Sequence, residues 1–149
     1  MKTDNIQKKY LGYSYAFFLL PLIALIGPIV LIPIEKVLPY PYILEEIVKV
    51  IMVFLILSTT GKIFQIKLAT FAGFFFALSE NIFYLSSPNL YTSPDIFLKR
   101  FFLVSLLHII TILAILIPSQ KYRFLILPAT LIAMFIHYFY NQNIMLFFQ

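Results

Sequence analysis

The chain has 149 residues, of which 62% are hydrophobic and 18% aromatic; only 11% are charged, and the mean hydropathy is +0.96. This composition excludes an ordinary soluble domain and fits one compact bundle in a lipid bilayer, a single integral-membrane domain over 1–149. The absence of cysteine excludes disulfides, thiol nucleophiles and Cys-zinc sites, and the net charge of +5 comes from basic residues scattered between apolar runs, which suits anionic lipid rather than nucleic acid.

Taken in chain order, the elements predict an all-α, polytopic bundle of about five membrane-spanning helices. After a polar start, Met1 to Lys9, the run from Tyr13 to Leu31 has the length of a first span, at ~20 residues per crossing. No small-x-small cleavage site follows it, so it reads as a retained span rather than a signal peptide. Pro28 and Pro33 loosen or end this helix, and Pro39 and Pro41 make the connection to Tyr42 extended. The second span is read from Ile43 to Ser58, closing at Gly61. The third runs from about Ile66 to Leu85, its beginning interrupted by Lys62 and Lys67, and a polar loop, Ser86 to Asp95, follows. The fourth runs from Ile96 to Ile117 and stops at Pro118, and the fifth runs from Phe124 to Asn141, with a short apolar tail to Gln149.

This arrangement puts Lys2, Lys8, Lys9, Lys62, Lys67, Lys121 and Arg123 on the side of the N-terminus, and Lys36, Lys99 and Arg100 on the other. Basic residues accumulate on the cytoplasmic side of membrane proteins. The expected orientation therefore has a cytoplasmic N-terminus, with the Pro-rich connection and the Ser86 to Asp95 loop facing outwards.

Polar residues inside apolar runs carry the functional reading, because an ionisable side chain in a bilayer needs a partner or a wet cavity. Glu45, Glu46 and Lys49 occupy the first turns of the second span. Glu45 and Lys49, four apart, can pair, whereas Glu46 lies about 100° round the helix. Acids at a helix start also complement the macrodipole, which is an ordinary interfacial arrangement. Glu80 and Asn81 lie in the third span, about 8 Å inside its outer boundary at ~1.5 Å per residue. His108 sits within the fourth span and His137 within the fifth, with Asn141 four residues later on the same face.

A water-activating site needs a few imidazole or carboxylate ligands and a carboxylate to take the proton. Glu45 or Glu46, Glu80, His108, His137 and Asn141 supply that inventory from four helices at compatible depth. There is no HExxH sequence, which excludes a zincin-type site, and the spans contain no aspartate for a Ser-His-Asp triad.

The ordered set Glu45-Glu46-x-x-Lys49, Phe76-x-x-x-Glu80-Asn81-x-x-Tyr84, Arg100 with His108 eight residues on, and His137-x-x-x-Asn141 resembles the successive motifs of the PrsW family of intramembrane proteases. That family is similar to the larger CAAX-protease and bacteriocin-processing group. In the CAAX branch a histidine stands where this chain has Glu80, a departure that favours the PrsW branch. The resemblance implies a metal-dependent endopeptidase with its core at 43–142, cutting a membrane-anchored protein substrate on the extracytoplasmic side of the cell membrane. It further implies that Glu45 and Glu46 activate water. His108 and His137, with Glu80 and Asn141, would hold a divalent metal such as zinc or stabilise the oxyanion, supported by Lys49, Asn81 and Arg100. Lys49 or Arg100 is expected to neutralise one carboxylate of the site. The alternatives are a non-catalytic relative acting as a bacteriocin immunity or membrane-scaffold protein, suggested by the short chain and by Glu80, and a small transporter or channel subunit using the carboxylates as an ion path.

Overall fold

A computed structural model describes residues 18–31, 33–34, 37–85 and 94–143. The expected start of the first span at Tyr13, most of the polar loop from Ser86, the apolar tail to Gln149 and the basic residues Lys2, Lys8, Lys9 and Lys36 lie outside the described residues. Within them the chain is helical: α1 (Phe18–Leu31), α2 (Tyr42–Leu57), α3 (Lys62–Leu85), α4 (Pro94–Ser119) and α5 (Ile126–Asn143), with a 3-10 turn at Arg123–Leu125 leading into α5. No strand occurs among the described residues.

Three segments are long and apolar enough to cross a bilayer: Lys62–Phe83, Pro94–Ser119 and Arg123–Asn143. The described part of α1 is shorter, and α2 has 16 residues, three of them charged. Both fall below the ~20 residues a crossing requires. Several boundaries differ from the sequence expectation by a few residues, and two of the differences have a clear physical reason. α3 begins at Lys62 because Lys62 and Lys67 project from its exposed face without breaking it, while Gln65 turns inwards. α4 continues through Pro118 to Ser119, since a proline in the final turn removes one backbone donor and Ser119 Oγ donates back to Ile115 O at 2.6 Å.

The side chains are distributed as membrane packing demands. Large apolar groups such as Phe71, Phe102, Leu127, Leu131 and Phe135 cover the outside, whereas the interior mixes Met52, Val53, Ile56, Phe76, Ile112, Ile115 and Leu116 with several alanines. In lipid no hydrophobic force draws helices together, so close contact comes from small residues that let backbones approach. The antiparallel α3–α4 pair is the most extensive interface. Its seam is Ala69, Gly73 and Ala77, spaced four apart on one face of α3 and all buried. A Cβ added at Gly73 would lie 2.9 Å from His108 O and from Ile109 Cα and N, so only glycine fits against α4 there. That contact fixes α3 and α4 at the height where Glu80 meets His108. α2 and α5 pack on α4 and on each other, and Ser79 Oγ donates to Leu25 O, tying α3 to α1.

Candidate functional site

The first turns of α2 point into the bundle. Glu45 and Glu46 are buried, and Lys49 is among the largest fully buried side chains. They are therefore not the interfacial, macrodipole-complementing acids that the sequence also allowed. The pairing differs from expectation as well: the lysine engages Glu46 at i,i+3, with Lys49 Nζ donating to Glu46 Oε1 at 2.5 Å, and also donates to Thr111 Oγ1 on α4 at 2.8 Å. Lys49 thus has two acceptors deep in the core, one on its own helix and one on α4, and a buried cation requires that satisfaction.

From α5, His137 brings Nδ1 to 2.8 Å from Glu46 Oε1. That oxygen already accepts from an ammonium, which has only protons to offer, so it belongs to a carboxylate acceptor and His137 Nδ1 is the donor. The other ring nitrogen, Nε2, then carries the lone pair, and it lies 3.7 Å from Glu45 Oε2. Contrary to the expectation from helical angle, Glu45 and Glu46 converge on one cluster, because α5 meets Glu46 while α3 and α4 close over Glu45.

Glu80 of α3 divides its oxygens. Oε1 accepts from Arg100 Nη2 at 3.2 Å, and Oε2 lies 2.7 Å from His108 Nε2. His108 is fully buried, its ring 4.8 Å from that of Phe76 and 5.5 Å from that of His137, to which it stands nearly perpendicular at 86°. Phe76 also lies under Lys49 Nζ at 5.5 Å, forming an aromatic floor beneath imidazole and ammonium alike. The cluster thus holds three carboxylates and two cations, Glu45, Glu46 and Glu80 against Lys49 and Arg100, leaving one formal negative charge (3 − 2 = 1). A proton or a bound cation would balance it.

Glu45, Glu80 and His108 form a group whose ligand atoms lie within 4.8 Å of one another and could hold a metal ion. Ligands around a tetrahedral ion with ~2.0–2.1 Å bonds sit about 3.3 Å apart. The Glu45 Oε2 to His108 Nε2 distance of 3.9 Å is slightly wider, and the His108–Glu80 distance of 2.7 Å is that of a hydrogen bond. A cation therefore fits the donor chemistry once that hydrogen bond opens by roughly half an ångström. Glu45 thus joins Glu80 and His108 in the group, with His137 adjacent and held by Glu46.

Two expected members stand apart. Asn81 is buried, but its Nδ2 donates to Ala77 O at 2.8 Å, a bond to the backbone of its own helix. Asn141 is exposed, and no hydrogen bond joins it to the cluster among the described residues. One further turn of α5, a rise of ~6 Å, carries it past the level at which α2 begins. Conversely, Thr111 was not apparent from sequence. Its only signal is a hydroxyl three residues after His108, on the same face of an apolar helix. A cleft of about 370 Å³, lined by Tyr40, Tyr42, Ile43, Met134, Phe135 and Tyr138, lies between the start of α2 and α5. Its wall residue Tyr42 packs with its ring 5.9 Å from that of His137.

Fold and site together define a helical membrane protein with a buried carboxylate–imidazole cluster that could hold a metal ion. No family model, curated protein or solved structure matches the chain, so its function is argued from this geometry and the ordered motifs.

Proposed function

We propose that the chain is a PrsW-like intramembrane endopeptidase of the cell membrane, crossing it about five times with a cytoplasmic N-terminus and cutting a membrane-anchored protein substrate near the extracytoplasmic side. The observation that carries this reading is the meeting of Glu45, Glu80 and His108, with His137 adjacent to Glu45, from four helices inside an apolar bundle. A lone buried acid would need only one partner; here three carboxylates and two imidazoles face one another.

Each residue then has a part. Glu45 takes the proton of the attacking water, since its Oε2 faces Nε2 of both histidines, at 3.9 and 3.7 Å. Glu46 holds His137 with Nε2 turned towards Glu45, and so acts on orientation. Lys49 and Arg100 pair with Glu46 and Glu80 and offset their charge. A divalent ion such as zinc would be held by Glu80, His108 and His137. When bound it would supply Lewis acidity to the scissile carbonyl and to water. An extended segment would approach by the cleft whose wall residue Tyr42 packs against His137. Asn141, exposed, has no part in this mechanism.

The test is cleavage of a single-span substrate, labelled on its extracytoplasmic side, by the purified chain in proteoliposomes. Wild-type protein should release the label, and Glu45→Gln and His137→Ala proteins that insert normally should not. A zinc chelator should stop the reaction and added zinc restore it. Equal activity in all three proteins would remove the hydrolase reading. Undiminished protection of cells by both variants would instead favour an immunity or scaffold role.

A further inference from the structure

We propose that Thr111 is a positioning residue that fixes the tautomer of His137 through Lys49 and Glu46. The chain of contacts is continuous and buried. Thr111 Oγ1 donates to His108 O at 3.3 Å and accepts from Lys49 Nζ at 2.8 Å. Lys49 donates to Glu46 Oε1, and the same oxygen lies 2.8 Å from His137 Nδ1. Thr111, Lys49 and Glu46 are all fully buried, so no solvent can replace a missing member.

The direction of each bond follows from chemistry. An ammonium only donates, so the threonine oxygen is its acceptor, and the hydroxyl proton is left to the His108 carbonyl. The ammonium is thereby held on α4 as well as on its own helix. Its second acceptor, Glu46 Oε1, is fixed in place, and the other hydrogen bond this oxygen accepts comes from His137 Nδ1. Without the Thr111 hydroxyl, Lys49 loses its tether to α4 and is free to take another rotamer of its flexible stem. Glu46 then follows, and the constraint that leaves Nε2 of His137 unprotonated towards Glu45 is released. Partners that set the tautomer and orientation of an imidazole in this way commonly change affinity or activity by about 10- to 100-fold. The consequence for cleavage rests on the hydrolase reading, whereas the effect on the imidazole does not.

Because the chain has only two histidines, the effect can be read directly. Protein labelled with 15N-histidine in nanodiscs gives ring-nitrogen signals for His108 and His137, assigned with a His137→Gln sample. In the wild type, His137 should show one tautomer, protonated at Nδ1. Thr111→Val, which keeps the shape and removes the hydroxyl, should lose that single state and show an Nε2-protonated population. Thr111→Ser, which restores the hydroxyl, should recover it. In the cleavage assay Thr111→Val should lower kcat by about 10-fold with KM unchanged. Should the valine protein fail to insert, Thr111→Ala removes the same hydroxyl without placing a methyl against Lys49 and is read identically. A single Nδ1-protonated His137 in the valine or alanine protein, or a serine protein that behaves like them, would overturn the proposal. An altered tautomer in a chain that cleaves nothing would leave it standing and count only against the hydrolase reading.

Discussion

The bundle has two polar regions at opposite ends of α3 and α4, and they are built on different rules. At the turn end, Lys62, Lys67, Lys121 and Arg123 are exposed, and the hydrogen-bonded neutral side chains mostly reach nearby backbone. Ser58 Oγ donates to Leu55 O, Thr59 Oγ1 to Ile56 O, Gln65 Nε2 to Thr59 O, and Gln120 Nε2 to Lys62 O and Gln65 Oε1. These groups are neutral and mostly bond to main-chain carbonyls between the last turn of α2 and the start of α3. At the other end the groups are charged, come from four helices, and bond chiefly to one another. They also leave Glu46 Oε2 and His108 Nδ1 buried with no hydrogen-bond partner among the described residues. Polarity at the turn end mostly satisfies the backbone, whereas the charged cluster is held against other charged and imidazole groups with capacity left over.

The comparison predicts how each region answers substitution. The largest effect should be that of Glu45→Gln, which removes the base: initial cleavage rates in proteoliposomes should fall roughly 1,000-fold, with little change in resistance to unfolding. Lys49→Met should follow. It strands a buried carboxylate, so unfolding by SDS titration should show a loss of about 3–5 kcal/mol, with cleavage lost as well. Gly73→Ala drives a Cβ to 2.9 Å from the α4 backbone, and should cost about 1–3 kcal/mol in the same titration while widening the Glu80–His108 contact. The smallest effect belongs to the turn end. Gln120→Ala should cost about 1 kcal/mol and leave cleavage unchanged. If Gln120→Ala abolished cleavage or Glu45→Gln spared it, the distinction between the two regions would fail.

How much of this was legible in the letters depends on what decides each feature. The charged set stood out because Glu45, Glu46, Lys49, Glu80, His108 and His137 interrupt apolar runs, where chance rarely leaves them. The partner of Lys49 did not, since i,i+3 and i,i+4 neighbours are equally within reach of a lysine and α4 settles the choice by offering Thr111. The exposure of Asn141 turns on where α2 begins relative to α5, a tertiary fact. The seam at Ala69, Gly73 and Ala77 was hidden because small residues in an apolar span read simply as span. Lys62 and Lys67 misled in the opposite sense: on an exposed face a long basic side chain reaches water without ending its helix.

One feature of α2 bears on biogenesis. Glu46 and Lys49 are neighbours on a single helix, so their ion pair is available as soon as the segment coils. The remaining partners of its charged residues, His108 and Thr111 on α4 and His137 on α5, are synthesised later. A nascent chain halted after α3 would present the translocon with a short, acidic segment that lipid rejects. The partners that bury the charges of α2 are therefore complete only once α4 and α5 are in place, and the pocket is assembled in that same event.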